Sequence, residues 1–315
     1  MIKKWAKIAL LVVIISTPII GITSFMYISK KQFEDSYQLS GVGITASKII
    51  INNQIKVGDL EFQLLPASSE NILDASWSIN YTGVYDKNKF VLIDYYQEGS
   101  ELQINLYSEI QIRTGNYKQI NLALNVYINP NYENYSFISN NGFANLKFNV
   151  FNINFDKYEI VSTLGDIDVQ INRSDIQDYF KIDTTSGDID LLLDHISFHH
   201  NFLTTSTSGN QFFDFWNLGF LSNLNFTAVS TSGEIDVRWA NHFNKSHNIN
   251  ILLQSDNDVF LKMWSPIEIN RYDIFLETVG GTTRFSAPSG IFEEVIVDNY
   301  QSYNVDWLNV DLCNI

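Results

Sequence analysis

The chain is short of cysteine and of positive charge. Cys313 is its one cysteine in 315 residues, and 20 Lys and Arg face 35 Asp and Glu. A single thiol excludes an internal disulfide framework and any zinc site built from cysteines. A net charge of −15 leaves no positive footprint for phosphates, which argues against nucleic acid as a partner. Ser/His/Asp triads, phosphate-binding loops and dinucleotide fingerprints are absent from the sequence. What is present excludes a disordered acidic tail, because 45% of residues are hydrophobic and 14% aromatic. One or two domains fit the length.

The hydrophobic residues are unevenly placed. Lys3, Lys4 and Lys7 precede Ile8 to Ile28, a run of 21 residues without a charge, and Lys30 and Lys31 close it. At about 1.5 Å per residue such a run spans roughly 30 Å of hydrocarbon. Ser24-Phe25-Met26-Tyr27 lacks a small-x-small cleavage pattern, so residues 1–31 are expected to be an uncleaved anchor held in the membrane through residues 8–28. Three lysines before the run against two after it place the body, by the positive-inside rule, on the extracytoplasmic side. Removing Lys3, Lys4, Lys7, Lys30 and Lys31 from the 20 basic residues leaves 15 against 35 acids, so the body carries −20.

That body is repetitive. Ser162-Thr-Leu-Gly165-Asp-Ile-Asp-Val169 returns as Thr184-Thr-Ser-Gly187-Asp-Ile-Asp-Leu191 and as Ser230-Thr-Ser-Gly233-Glu-Ile-Asp-Val237. Weaker copies pivot on Gly142, Gly209, Asn257 and Gly280, with steps of 22 to 24 residues. Two places before the pivot stands Ser or Thr in six of the seven copies. A Ser/Thr-x-Gly corner lets a hydroxyl satisfy nearby backbone groups while Gly, or Asn, takes a left-handed turn. After each corner the pattern alternates, with Ile189, Leu191 and Leu193 on one face and Asp188, Asp190 and Asp194 on the other. Period-two alternation describes a half-buried strand. One corner every 22 to 24 residues describes one coil of an all-β solenoid, stacked at roughly 4.8 Å per coil. Leucine-rich repeats, nine-residue calcium-binding coils and propeller blades are excluded because their signatures are missing.

These T-S-G-D-I-D corners resemble the "putative adhesin" family of domains of unknown function in bacterial and archaeal envelope proteins. Ile120 to Pro130 resembles that family's opening strand. The resemblance covers about 120 to 290 and departs at Asn210-Gln-Phe212 and at Asn257. It implies a membrane-tethered β-solenoid at the cell surface, and says more about fold and location than about activity.

The remaining segments read as accessories. Residues 32–43 read as a linker, and 44–129 as irregular first coils or a capping β-layer. The solenoid proper is expected over 130–290, and 291–315 as a terminal coil whose acids discourage edge-to-edge stacking. Asp166, Asp168, Asp188 and Asp190 recur with the repeat, which a solvated face explains without catalysis. They could contact a divalent cation weakly, but a defined metal site, a cofactor and catalytic residues are not expected. His195, His199 and His200 read as a solvated turn. Phe212, Phe213, Phe215, Trp216 and Phe220 cluster where the corner motif degenerates; they fill a wide coil or form a binding patch. The expectation is an adhesin or envelope-architecture protein with a glycan or protein partner. A polysaccharide-active enzyme and a self-assembling subunit are the alternatives.

Overall fold

The computed structural model describes residues 30–56, 58–67, 70–82, 85–110, 120–129, 134–141, 145–241, 248–264, 271–286, 295–296 and 309–310. Among them no helix is long and apolar enough to cross a membrane. The run Ile8 to Ile28, together with Gly142 and most of 291–315, lies outside the described residues.

The N-terminal strands are β1 (Lys30–Leu39), β2 (Lys48–Gln54), β3 (Asp59–Pro66), β4 (Leu73–Thr82), β5 (Leu92–Glu98), β6 (Glu101–Tyr107) and β7 (Ile120–Ile128). The repeat begins with β8 (Asn134–Asn141), β9 (Leu146–Phe151), β10 (Phe155–Leu164) and the long β11 (Ile167–Ser186). It continues through β12 (Ile189–Phe198), β13 (Asn201–Ser208), β14 (Gln211–Phe220), β15 (Leu224–Ser230) and β16 (Ile235–Asn241). The last strands are β17 (Asn248–Ser255), β18 (Val259–Trp264), β19 (Arg271–Thr278), β20 (Thr283–Ser286), β21 (Val295–Ile296) and β22 (Asn309–Val310).

The fold is an all-β solenoid in which each coil gives one strand to each of two facing sheets. The first sheet runs β5-β6-β2-β8-β10-β11-β13-β15-β17-β19-β21. The second runs β1-β4-β7-β3-β9-β11-β12-β14-β16-β18-β20-β22. Strand β11 serves both, its start paired with β12 and its end with β13. From β8 onward successive coils stack in chain order and in parallel. The earlier part does not: the β2/β3 coil is sandwiched between β6/β7 and β8/β9. Strands β1, β4 and β5 pair antiparallel at that end. The segment expected to be a linker is therefore largely β1, an edge strand in register with β4 over its whole length. A long edge with no partner would template aggregation, and antiparallel capping strands end the parallel stack.

The core is built from columns. Phe137, Tyr158, Phe180, Phe202 and Phe226 lie in register along the inner face of the first sheet. Their rings follow one another at 5.4, 5.0, 4.8 and 4.7 Å. Val169, Leu191, Phe213, Val237 and Leu261 form the facing column of the second sheet. One aromatic per coil on one side is thus buried against a column that is aliphatic except at Phe213, which packs on Phe202 and Phe226.

Candidate functional site

The corners explain why the repeat is spelled as it is. A Cβ on Gly187 would lie 2.2 Å from the carbonyl oxygen of Gly165; on Gly209 it would lie 2.0 Å from that of Gly187, and on Gly233 1.9 Å from that of Gly209. Each corner therefore sits directly on the backbone of the one before. Positive φ is needed at Gly165 (116°) and Gly187 (136°), whereas at Gly209 and Gly233 close approach alone requires glycine. At the last described corner the residue stacked on Asn257 is Gly281, one place beyond Gly280.

The expected local turn is present at the last two corners, where Ser255 Oγ accepts the Asn257 N–H at 3.0 Å and Thr278 Oγ1 the Gly281 N–H at 3.0 Å, but the corners from Gly165 to Gly233 differ from it. Thr163, Thr185, Thr207 and Thr231, two places before the glycines, are exposed. The buried column is Ser162, Thr184, Ser206, Ser230, Ser255 and Thr278. Ser230 Oγ donates to the Gly209 carbonyl at 3.0 Å, Ser255 Oγ to that of Gly233, and Thr278 Oγ1 to that of Asn257 at 2.6 Å. These bonds tie one coil to the preceding one. The hydroxyls of Thr184 and Ser206, in the same column at the corners of Gly187 and Gly209, have no hydrogen-bond partner.

The first acid of each Gly-Asp-Ile-Asp motif belongs to the same edge. Asp166 Oδ1 accepts the Asp188 N–H at 3.0 Å, Asp188 Oδ1 the Asn210 N–H at 2.8 Å, and Asn210 Oδ1 the Glu234 N–H at 2.9 Å. Asn145 performs the same task for Asp166 at 3.1 Å, and Asp258 for Thr282 at 2.7 Å. Asp166 and Asp188 are thus acceptors in a ladder of inter-coil hydrogen bonds. The second acid goes elsewhere: Asp168 and Asp190 are lateral neighbours on the outer face of the second sheet.

That outer face holds the candidate site. Asp190, Phe212 and Asp236 follow one another across β12, β14 and β16, with Asp214 and Arg238 beside them. Together with Phe213 they line a depression of about 210 Å³. Arg238 approaches Asp214 at 3.8 Å and Asp236 at 3.9 Å. Partial desolvation, then Asp168 and Asp214, raise the Asp190 carboxyl above its ordinary range. Asp236 is raised as well, chiefly by desolvation, against the pull of Arg238. A broader groove of about 510 Å³ crosses the same face where Glu61, Asn121, Lys147 and Asp168 meet. Among the described residues no group of three His, Cys, Asp or Glu side chains is placed to hold a metal ion.

The five clustered aromatics divide between core and surface. Phe213, Phe215 and Phe220 are buried, at 2%, 1% and 3% exposure, and pack against Phe202, Phe226 and Trp239. Phe212 and Trp216 stay 37% and 36% exposed on the outer face. Strand alternation decides the division as far as Trp216, with Phe213 and Phe215 inward and Phe212 and Trp216 outward; beyond the positive-φ bend at Asn217 the parity changes and Phe220 points inward.

The family model of Toastrack DUF4097 matches residues 36–251, more than half of the chain. The chain belongs to that family. Among solved structures it is similar to a "putative cell adhesion protein" from Clostridium sporogenes, at 11% identity over 82% of this chain and 100% of that one, with a TM-score of 0.32. A "putative adhesin" from Bacteroides fragilis is similar at 15% identity over 82% and 98%, with a TM-score of 0.38. A "putative lipid binding protein" from Parabacteroides distasonis gives 13%, 82% and 92%, with a TM-score of 0.26. No curated protein matches the chain.

Two features of this Toastrack chain have a weaker trace in sequence. Asn152, Arg173, His195 and Asn217 all take positive φ, between 53° and 57°, at equivalent places in successive coils. They mark the bend where each strand of the second sheet turns toward the first. Two asparagines among four such residues are the only local signal. His195 is one of these bend residues, with Nδ1 2.8 Å from Asp194 Oδ1, while His200 contacts Ser222 at 3.4 Å. The second feature is an asparagine ladder on the first sheet, in which Asn225 donates to Asn201 at 3.1 Å and Asn250 to Asn225 at 2.7 Å.

Proposed function

We propose that this Toastrack protein is a membrane-tethered, non-enzymatic adhesin-type solenoid of the cell envelope. Residues 8–28 anchor it, the body lies outside the cytoplasm, and the outer face of the second sheet binds a glycan or another envelope protein. The exposure of Phe212 and Trp216 carries the reading, since both lie on β14 above a core that already buries three aromatics of the same strand. Exposed aromatic faces beside carboxylates suit the stacking of a sugar ring with hydrogen bonds to its hydroxyls. The test is capture on a glycan array and in pull-downs from envelope extracts. Phe212→Ser with Trp216→Ser is expected to weaken capture at least about tenfold, as loss of an interface anchor does, with circular dichroism unchanged. Undiminished capture by that double variant would sink the proposal.

One observation favours an enzymatic reading. Asp190 and Asp236 are both raised carboxyls, and they flank Phe212 two strand spacings apart, about 9.6 Å. That separation is close to the upper end for a pair acting through a water molecule in an inverting glycosidase. Depolymerisation of an acidic polysaccharide, lost in Asp236→Asn, would establish this reading in place of the first.

A further inference from the structure

The body carries −20 after Lys31, yet one of its ends is basic and aromatic. Lys30 and Lys31 open β1 opposite Thr82 and Tyr81 at the end of β4. The turn after β4 brings Lys87 and Lys89 to the same end, exposed on its short 3-10 turn. Two of these lysines stand over rings at this end, where Tyr81 and Phe90 are buried and Tyr85 and Phe33 half-buried. Tyr81, Tyr85 and Phe90 meet with centroids 4.9 to 6.1 Å apart. Lys31 Nζ stands 5.9 Å from the Tyr81 ring, and Lys87 Nζ 4.7 Å from that of Phe33. Two acids moderate the charge: Glu109 pairs with Lys89 at 3.1 Å, and Asp86 caps the 3-10 turn through the Asn88 N–H.

We propose that this end of the solenoid is a foot that rests on the anionic headgroups of the bilayer holding residues 8–28. The proposal rests on the tether argued above, and adds how the body is held. Position commits the occupant. The uncharged run ends at Ile28, and β1 begins at Lys30, locked to β4 along its whole length, so little slack separates the body from that run. Charge and ring chemistry agree with position. Lysines attract anionic lipid over about a Debye length, and the half-buried Tyr85 is the tyrosine of this cluster placed to reach the headgroup level. The acidic ladder at Asp166, Asp188 and Glu234 lies along the same edge farther down the rod. Anionic lipid repels that stretch, so contact is confined to the foot and the rod points away from the bilayer.

The experiment uses the full chain with Cys313→Ser and one new cysteine, Asn88→Cys at the foot or Val279→Cys at the far end of the same edge. Each carries a fluorophore and is reconstituted into phosphatidylcholine vesicles, with or without phosphatidylglycerol, containing a headgroup spin-label quencher. Quenching is expected at position 88 and not at 279, stronger with phosphatidylglycerol and weaker with added salt. Lys87→Gln and Lys89→Gln should each weaken the foot contact about fivefold, without change in circular dichroism. Vesicle-bound protein unquenched at 88 overturns the foot and leaves the tether standing. Equal quenching at 88 and 279 overturns it too, because the rod then lies flat. Protein that fails to float with the vesicles overturns the tether and the foot together.

Discussion

The corner edge and the outer face of the second sheet receive alternate residues of one motif and treat them in opposite ways. At the edge, Asp166 and Asp188 spend a carboxylate oxygen on the backbone of the next coil. Two residues later, on the face, Asp168 and Asp190 stand side by side as like charges, with Asp190 further crowded by Asp214. The edge is closed at its backbone, since the N–H groups of Asp166, Asp188, Asn210 and Glu234 each find a side-chain acceptor on the preceding coil. The face is open and crowded with like charges, so that Asp190 holds its proton more readily than a free carboxyl. Repetition therefore has two physical meanings in one motif: a stacking requirement at the edge, and a solvated surface free to vary on the face. Phe212 and Phe260 take the same column as Asp190 and Asp236 without disturbing the ladder.

Glycine substitution should break this comparison most sharply. Gly209→Ala places a methyl 2.0 Å from the Gly187 carbonyl oxygen, so two coils must separate. A loss of about 3 kcal/mol is expected in chemical denaturation followed by circular dichroism. Gly99→Ala, at φ +60° in the β5–β6 turn with open space around it, meets only the left-handed conformational cost, about 1 kcal/mol. Equal losses at the two sites would show that corners are held by backbone conformation and not by stacking.

The acid of the ladder should matter less than the glycine, and in a specific way. Asp188→Ala leaves the Asn210 N–H without its acceptor and is expected to cost about 1 kcal/mol. Asp188→Asn should restore most of this, because Asn145 and Asn210 already fill the role at neighbouring corners. The measurement is again denaturation. If Asn were as damaging as Ala, charge and not the acceptor would be the required property.

Sequence exposed the edge of the molecule far better than its end or its face. The corner repeat is visible because close stacking tolerates one residue type at Gly187, Gly209 and Gly233, and a steric demand met by one residue leaves a plain signal. The hydroxyl that bonds across coils was hidden by a neighbour of the same kind: Ser230 is buried and bonded while Thr231 beside it is exposed. The N-terminal order was illegible because β2 and β3 stack out of chain sequence, and nothing local encodes which coil a strand will meet. A segment such as Glu34-Asp-Ser36, with two acids among polar residues, reads as linker because an edge strand needs few buried side chains. The aromatic cluster was legible as a cluster; its division required the register of β14, which fixes Phe213 inward and Phe212 outward.

The smallest effect concerns the face, and its sign is opposite to the usual one for a carboxylate. Asp190, Asp236 and Glu234 all have carboxyls raised by desolvation and by neighbouring acids. A raised folded-state carboxyl binds its proton more readily than the unfolded chain does, so protonation favours the fold. Its contribution is complete below the unfolded value and is lost as pH rises through the folded one. Melting temperature should therefore climb as pH falls from 7 toward the upper end of the carboxylate range. Asp190→Asn removes one of the repelling charges at every pH. It should melt slightly higher than the parent protein at pH 7 and show a shallower climb on acidification. A parent protein that loses stability steadily over that acid descent would overturn the reading that the crowded acids of the face set the pH dependence.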